Sequence, residues 1–390
     1  MNDNLLALRT SLSPTGPLGY LPLTSRDRRD WSEHLGDEGF LNSCLDAVLT
    51  PGRSGELLAV TAGKVLVDDE LIPLNLAETD CGVGLNHAAL REYCARVAAH
   101  EPRKVPRSNS GEHDLDAPTR ADVLFGGMLD QTPVLALCGA WEEYLDLPEN
   151  LLGPDGQQLS PEEFMAARTG GRWLSLREHA DSARTLADNP AEHTARGYSQ
   201  IFSAVAALTA WHASAVYDGA TGEPTVVINS GWARLTPAGR VNFPRTDPAV
   251  ITAVTATIDG QDHLLLGQSR AWAKNRFSTF AGFVEAGESI ENAVAREVFE
   301  ECGGAVTRVR YLGSQPWPFP RSLMFGFTAE IENPEQVAAD ETEIETIRWF
   351  TRQQLREAHT SGEIQLPPRS SISRALIEDF LGEPLPTRLQ

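Results

Sequence analysis

The sequence predicts a chain of mixed α+β and α/β class with more than one domain, on three observations. Its 390 residues exceed the span of one ordinary core. Short apolar runs alternate with helical stretches over the first two hundred residues. From residue 243 onward, one acidic amphipathic helix is set among runs of strand character.

Taken in order, Leu57 to Val60, Val65 to Val67 and Val134 to Leu137 read as strands, and His87 to Ala98 and Glu192 to Leu208 as helices. The polar, proline-bearing stretch from Pro102 to Arg120 reads as an exposed loop. Val250 to Ile258 and His263 to Leu266 flank Asp259-Gly260, a hairpin signal. Further strands are expected at Ser278 to Val284, Val309 to Ser314, Leu323 to Ile331 and Thr346 to Phe350, with a closing helix near Ser371 to Leu381.

Composition narrows the function. With 33 Lys and Arg against 54 Asp and Glu, the net charge is −21, which opposes nonspecific binding along a nucleic-acid backbone. An RNA partner would be held by its end. The five cysteines, at 44, 81, 94, 138 and 302, are odd in number and lack paired spacing, so no disulfide framework is implied. Met1-Asn2-Asp3-Asn4 lacks the start of a signal peptide, and no apolar run reaches membrane-spanning length. A cytoplasmic protein without a membrane partner is expected.

The chemistry is concentrated between Gly282 and Gly303. Ser289 is a candidate N-cap, Gly303-Gly304 a stop, and Ile290, Val294 and Val298 recur at helical spacing between them. Glu297, Glu300 and Glu301 then share one face. Three carboxylates within a turn repel one another unless a hard dication neutralises them, and an all-oxygen set favours magnesium or manganese. Alone, the acids would read as a solvated helix face. Here Glu288 and Arg296 recur at fixed offsets, and Arg296 can pair with Glu288 to fix the loop against the helix. This pattern resembles the Nudix hydrolase box, departing from it at Gly304, where the family has an aliphatic residue.

Ser314-Gln315-Pro316-Trp317-Pro318-Phe319-Pro320-Arg321-Ser322 follows. Three prolines around Trp317 and Phe319 stiffen the backbone, so the rings have little entropy to lose when a flat ligand stacks on them. By itself such a run also fits a core plug or a ligand of a proline-recognition module. At this distance from the box it resembles the array of the NADH pyrophosphatase (NudC) branch of the Nudix family. Phe243-Pro244-Arg245, Ala281-Gly282-Phe283-Val284-Glu285 and Trp349-Phe350 extend the likeness, and Trp173-Leu174-Ser175-Leu176-Arg177 and Trp211-His212 match as scattered pieces.

The resemblance implies an α/β/α sandwich with a mixed sheet over 243–385. It would be preceded by an α+β domain over 1–205 and a degenerate zinc-ribbon-like segment over 206–242. It implies hydrolysis of NADH or NAD to AMP and nicotinamide mononucleotide, removal of NAD caps from RNA 5′ ends, and a homodimer. The metal would be held by Glu297, Glu301 and the carbonyl of Ala281, with Glu300 as a supporting ligand or base and Glu343 as a further ligand. Phe283 and Trp317 would sandwich the nicotinamide, and Gln315, Pro316, Pro318, Phe319, Pro320, Arg321 and Ser322 would line the groove. Phe243, Ser373 and Arg177 complete the implied substrate contacts. Many relatives carry a four-cysteine zinc ribbon, but Val216 to Arg240 contains no cysteine, so structural zinc is expected to be absent. Trp232 and its neighbours are expected to pack as a small core in its stead. The alternatives are a Nudix hydrolase acting on ADP-ribose or a dinucleoside polyphosphate, and a noncatalytic dinucleotide sensor.

Overall fold

The computed structural model describes residues 34–37, 39–50, 53–77, 84–100, 118–129, 131–185 and 191–385. Most of the Pro102 to Arg120 stretch lies outside them. The described residues form two compact units, divided between Arg245 and Thr246.

The first unit is built on a five-stranded mixed sheet. Its strands are β1 (Glu56–Thr61), β2 (Lys64–Val67), β3 (Val123–Leu129), β4 (Thr132–Leu137) and β5 (Arg172–Ser175), in the order β3-β4-β1-β2-β5. Only the β1–β4 pairing is parallel. Helices α1 (Phe40–Leu49) and α2 (His87–His100) bury Leu41, Leu45, Leu90 and Cys94 in the same core as Leu57 and Leu135. After α3 (Trp141–Tyr144) comes α4 (Pro161–Thr169), which opens on a Ser160/Glu163 capping box and ends at Gly170 in the left-handed region. Helix α5 (Leu176–Thr185) and helix α6 (Ala191–Ser214) follow.

Helix α6 runs six residues past the expected end at Leu208, so residue 206 lies inside a helix and opens no ribbon. Trp211 and His212 continue the packed face that carries Val205 and Leu208, and His212 is buried. Beyond it, β6 (Val226–Ile228), β7 (Ala233–Leu235) and β8 (Val241–Asn242) form a small antiparallel sheet. Trp232 does not build that sheet's core. Its indole N–H donates to the Phe125 carbonyl at 2.8 Å and its ring packs on the main core, while Val226, Ile228, Ala233 and Leu235 form the small one.

Hydrogen bonds brace this sheet. Asp218 Oδ1 accepts from the Ala220 and Thr221 N–H groups at 2.9 and 2.8 Å, and Asn242 Nδ2 donates to Asp218 Oδ2 at 2.9 Å. Those bonds, the Asn242 one foremost, hold the Asp218 carboxyl down at about 2. Thr236 Oγ1 closes a second turn by accepting from Arg240 N at 3.1 Å. Between the two turns, Arg234 is fully buried, donating to Thr225 Oγ1 at 2.6 Å, to the Thr119 carbonyl at 2.7 Å and to His212 Nδ1 at 3.0 Å. His212 Nε2 in turn donates to the Gly231 carbonyl at 2.8 Å, so its partners fix a neutral ring.

The second unit is a three-layer α/β/α sandwich. Strands β9 (Asp247–Ile258), β10 (Gln261–Ser269), β12 (Val306–Trp317), β13 (Ser322–Ile331) and β14 (Ile344–Thr351) run in the order β12-β13-β9-β10-β14. The β13–β9 pairing is parallel. Asp259 and Gly260, at φ 49° and 77°, make the two-residue turn that their identities predict. The early half of β9 pairs with the short β11 (Phe280–Phe283) and its later half with β10. Alternation along β9 sends Val250, Val254 and Ala256 toward α7 (Ile290–Cys302), and Ile251 and Ala253 toward α8 (Arg352–Ser361) and α9 (Ile372–Leu381). Strand β12 reaches Trp317, so the proline-rich array starts inside a strand and not in a turn.

Candidate active site

Helix α7 begins and ends where its sequence directs. Ser289 Oγ accepts from Asn292 N, and Gly303 closes the helix at φ 69°. Its apolar stripe, Ala293, Val294, Val298 and Cys302, is fully buried, which turns Glu297, Glu300 and Glu301 toward the loop that follows β11.

Arg296 organises that loop. Its guanidinium donates from Nε and Nη2 to the two carboxylate oxygens of Glu288 at 2.8 and 2.9 Å, and from Nη2 to the Phe283 carbonyl at 2.8 Å. Its Nη1 reaches Glu297 Oε1 and Glu300 Oε2, both at 2.8 Å. This bidentate bond, with the Glu285 N–H, pulls the Glu288 carboxyl down to about 2. Gly282 is required here: a Cβ at that position would fall 1.9 Å from the Glu297 carboxylate.

Glu301 is the buried member, 9% exposed, and accepts from Ala281 N at 3.2 Å. Burial, and then the charges of Glu297, Glu343 and Asp340, push its carboxyl up to about 8. Burial first, with Glu300 and Glu343 adding to it, also raises Glu297. Five acids, Glu297, Glu300, Glu301, Asp340 and Glu343, are therefore linked by mutual repulsion. Among the described residues, no group of three His, Cys, Asp or Glu is already gathered to metal-site geometry, since Arg296 draws Glu297 and Glu300 onto itself. The donor set nonetheless fits a hard dication: it is all oxygen, and Glu301 is pushed up by burial and by the acids beside it, which a cation would relieve.

Glu343 stands exposed before β14, in a loop that Asp340 shapes by accepting from the N–H groups of Thr342, Glu343 and Ile344. The sequence reading missed Asp340. Its signal was an Asx-type turn, an Asp placed ahead of a polar run and a strand.

The array lies across the sheet. Phe283 pairs with Ala249, Ala249 with Met324, and Met324 with Gln315, while Trp317 pairs with Ser322, which pairs with Asp247. Directly paired residues point to the same face, so Phe283 and Trp317 both stand on the α9 side. Three strand spacings separate their backbones, on the order of 14 Å. Phe283 is 57% exposed, and the Trp317 and Phe319 rings meet edge to face at 5.1 Å. Pro316 is half-buried, Pro318 buried and Pro320 exposed. Arg321 Nε donates to Asp247 at 2.7 Å, and Ser322 ends the hairpin by pairing with Trp317. Gln315 and Ser373 are buried, with their polar atoms turned inward. Phe243 and Arg177, both exposed, belong to the first unit.

At Gly304, the departure from the box, a Cβ would stand 3.0 Å from Val298 Cγ1 and 3.3 Å from Ile331 Cγ2. Neighbours already fill the space that an aliphatic side chain would take.

The NUDIX domain family model matches residues 248–369. A "NAD-capped RNA hydrolase NudC" of Mycobacterium bovis (strain BCG / Pasteur 1173P2) is 46% identical over 191 residues, 47% of this chain and 60% of that protein. The human "NAD-capped RNA hydrolase NUDT12" is 37% identical over 186 residues, 45% of this chain and 40% of that protein. The chain thus spans less than two thirds of the length of either relative. A solved NUDIX hydrolase from Nitrosomonas europaea aligns at 25% identity over 36% of this chain and 93% of that one, with a TM-score of 0.28. The second unit of this chain carries a NUDIX domain.

Proposed function

We propose that the protein is an NAD(H) pyrophosphatase, cleaving the diphosphate of NADH or NAD into AMP and nicotinamide mononucleotide, and that it removes NAD caps from RNA 5′ ends. One observation carries the reading: a single sheet brings the acidic cluster of α7 and the stiff aromatic array of β12 and β13 into one unit. The named activities of the relatives support it.

Glu297, Glu301 and the Ala281 carbonyl would hold magnesium or manganese, with Glu300 and Glu343 beside them. Such an ion, when bound, supplies neutralisation of phosphoryl oxygens and acidification of the attacking water. The chain's own residues do the rest. Arg296 fixes the loop through Glu288 and keeps Glu297 and Glu300 in reach of one another. Gly282 lets the strand backbone approach the carboxylates closely. Phe283 and Trp317 offer flat apolar surfaces on one side of the sheet to a base, and the proline-braced backbone from Pro316 to Pro320 loses little freedom when the substrate lands. No structural zinc is assigned.

No helix of the described residues is long and apolar enough to cross a membrane. A cytoplasmic homodimer is part of the proposal, and light scattering of the purified chain tests the dimer.

Comparing kcat/KM for NADH, ADP-ribose and a diadenosine polyphosphate tests the specificity. NADH should lead; preference for either rival would overturn it. A NAD-capped transcript should lose its cap while a triphosphorylated one persists, and equal processing of both would remove the RNA activity. Tight dinucleotide binding without turnover in saturating manganese would point to a sensor instead.

A further inference from the structure

The first turn of α9 is tied by side chains to two segments far from it in sequence. Gln315, on β12, is 0% exposed; it donates from Nε2 to the Ser370 carbonyl at 2.7 Å and accepts at Oε1 from Ile372 N at 2.8 Å. One residue further on, Ser373 is 2% exposed, and its Oγ lies 2.8 Å from Ser278 Oγ and 2.7 Å from Thr279 Oγ1. Strand β13 also presses on this turn: a Cβ at Gly326 would stand 2.8 Å from Ile372 Cδ1.

Each tie leads to the candidate site. Gln315 opens the array that runs to Ser322. Thr279 lies two residues before Ala281, whose N–H donates to Glu301 at 3.2 Å. Neither Gln315 nor Ser373 can turn toward a ligand without leaving buried donors and acceptors empty, a cost that favours their inward bonds. We infer that Gln315 and Ser373 are positioning residues, which act through the first turn of α9 to hold the aromatic array at a fixed distance from the strand that serves the carboxylates. The inference rests on the reading of the site as a dinucleotide hydrolase, where a diphosphate must reach the acids while its ring occupies the array. Misplacement by about 1 Å is enough to cost such a reaction two orders of magnitude.

The experiment uses the full chain and the variants Gln315→Met, Ser373→Ala and Thr279→Val. Hydrogen exchange is followed by mass spectrometry at 280–283 and 316–322, alongside manganese affinity by electron paramagnetic resonance without substrate, and KM and kcat for NADH. Gln315→Met removes the bonds to Ser370 and Ile372, and it should speed exchange at 280–283 about tenfold and weaken manganese binding by a similar factor, as expected for one lost buried hydrogen-bond pair. Ser373→Ala should in turn loosen 316–322 and raise the KM for NADH. Thr279→Val, which changes no residue of α9 but removes the hydroxyl that Ser373 bonds, should reproduce the effects of Ser373→Ala. Loosening confined to the segment each side chain bonds, or a lower unfolding temperature with unchanged manganese affinity and KM, would overturn the inference. If the unsubstituted protein cleaves neither NADH nor NAD, the hydrolase reading fails, and the exchange pattern still decides whether the turn couples the two segments.

Discussion

Glu301 concentrates the physical tension of the site. An ordinary glutamate titrates near 4.5, and burial with its acidic neighbours lifts this one to about 8 in the folded chain. The unfolded chain therefore releases this proton at lower pH, so the stability that the protonated form contributes is complete below about pH 4.5 and is lost as pH rises through 8. A melting series without metal should show that decline, and Glu301→Gln should flatten it, the difference at high pH being at most on the order of 3 to 5 kcal/mol. Manganese should stabilise the unsubstituted protein more at pH 8 than at pH 5; stabilisation independent of pH would contradict this account. Gly282 gives a second prediction. Gly282→Ala should leave the fold within about 1 kcal/mol, because the flexible Glu297 side chain can swing aside, while kcat falls about a hundredfold. Retained activity would mean that the Glu297 placement is not needed. The grouping of the box residues on one helix was legible in the sequence because spacing fixes which side chains share a face. The Arg296 pair with Glu288 was legible too, but the further reach of its Nη1 to Glu297 and Glu300 was not, since it depends on how the guanidinium is turned.

At the scale of elements, local signals were read well where they dominate. The Asp259-Gly260 turn, the capped α7 and the closing helix all follow from neighbouring residues. Helix α4 carried an equally clear signal in Ser160, Pro161 and Glu163, and went unread because only Phe164 and Met165 of its residues are buried, too few for an apolar period. The small sheet of β6, β7 and β8 shows the opposite limit. An arginine in a three-residue strand reads as exposed, yet Arg234 is the buried centre to which Thr119, Thr225 and His212 are bonded. Replacing it by methionine should destabilise the first unit by about 3 kcal/mol, because the Thr119 carbonyl and His212 Nδ1 lose their donor inside the protein. Calorimetry showing an unchanged unfolding temperature would mean that the apolar core alone holds the sheet.

For the molecule as a whole, the mixed sheet between helices that the family resemblance implies is the architecture of the second unit, and the alternation of β9 and the amphipathic period of α7 fit it. The sequence reading misplaced the boundary at 206, where helical packing continues through His212. The first unit has its own sheet and core, and hydrolysis is assigned wholly to residues of the second. The most direct test of that assignment is mass spectrometry of the products formed from NADH with magnesium or manganese, beside a Glu301→Gln control. The account predicts AMP and reduced nicotinamide mononucleotide from the unsubstituted protein, and a loss of at least about a hundredfold in the variant. Intact NADH, or the same products from the variant at an undiminished rate, would contradict it.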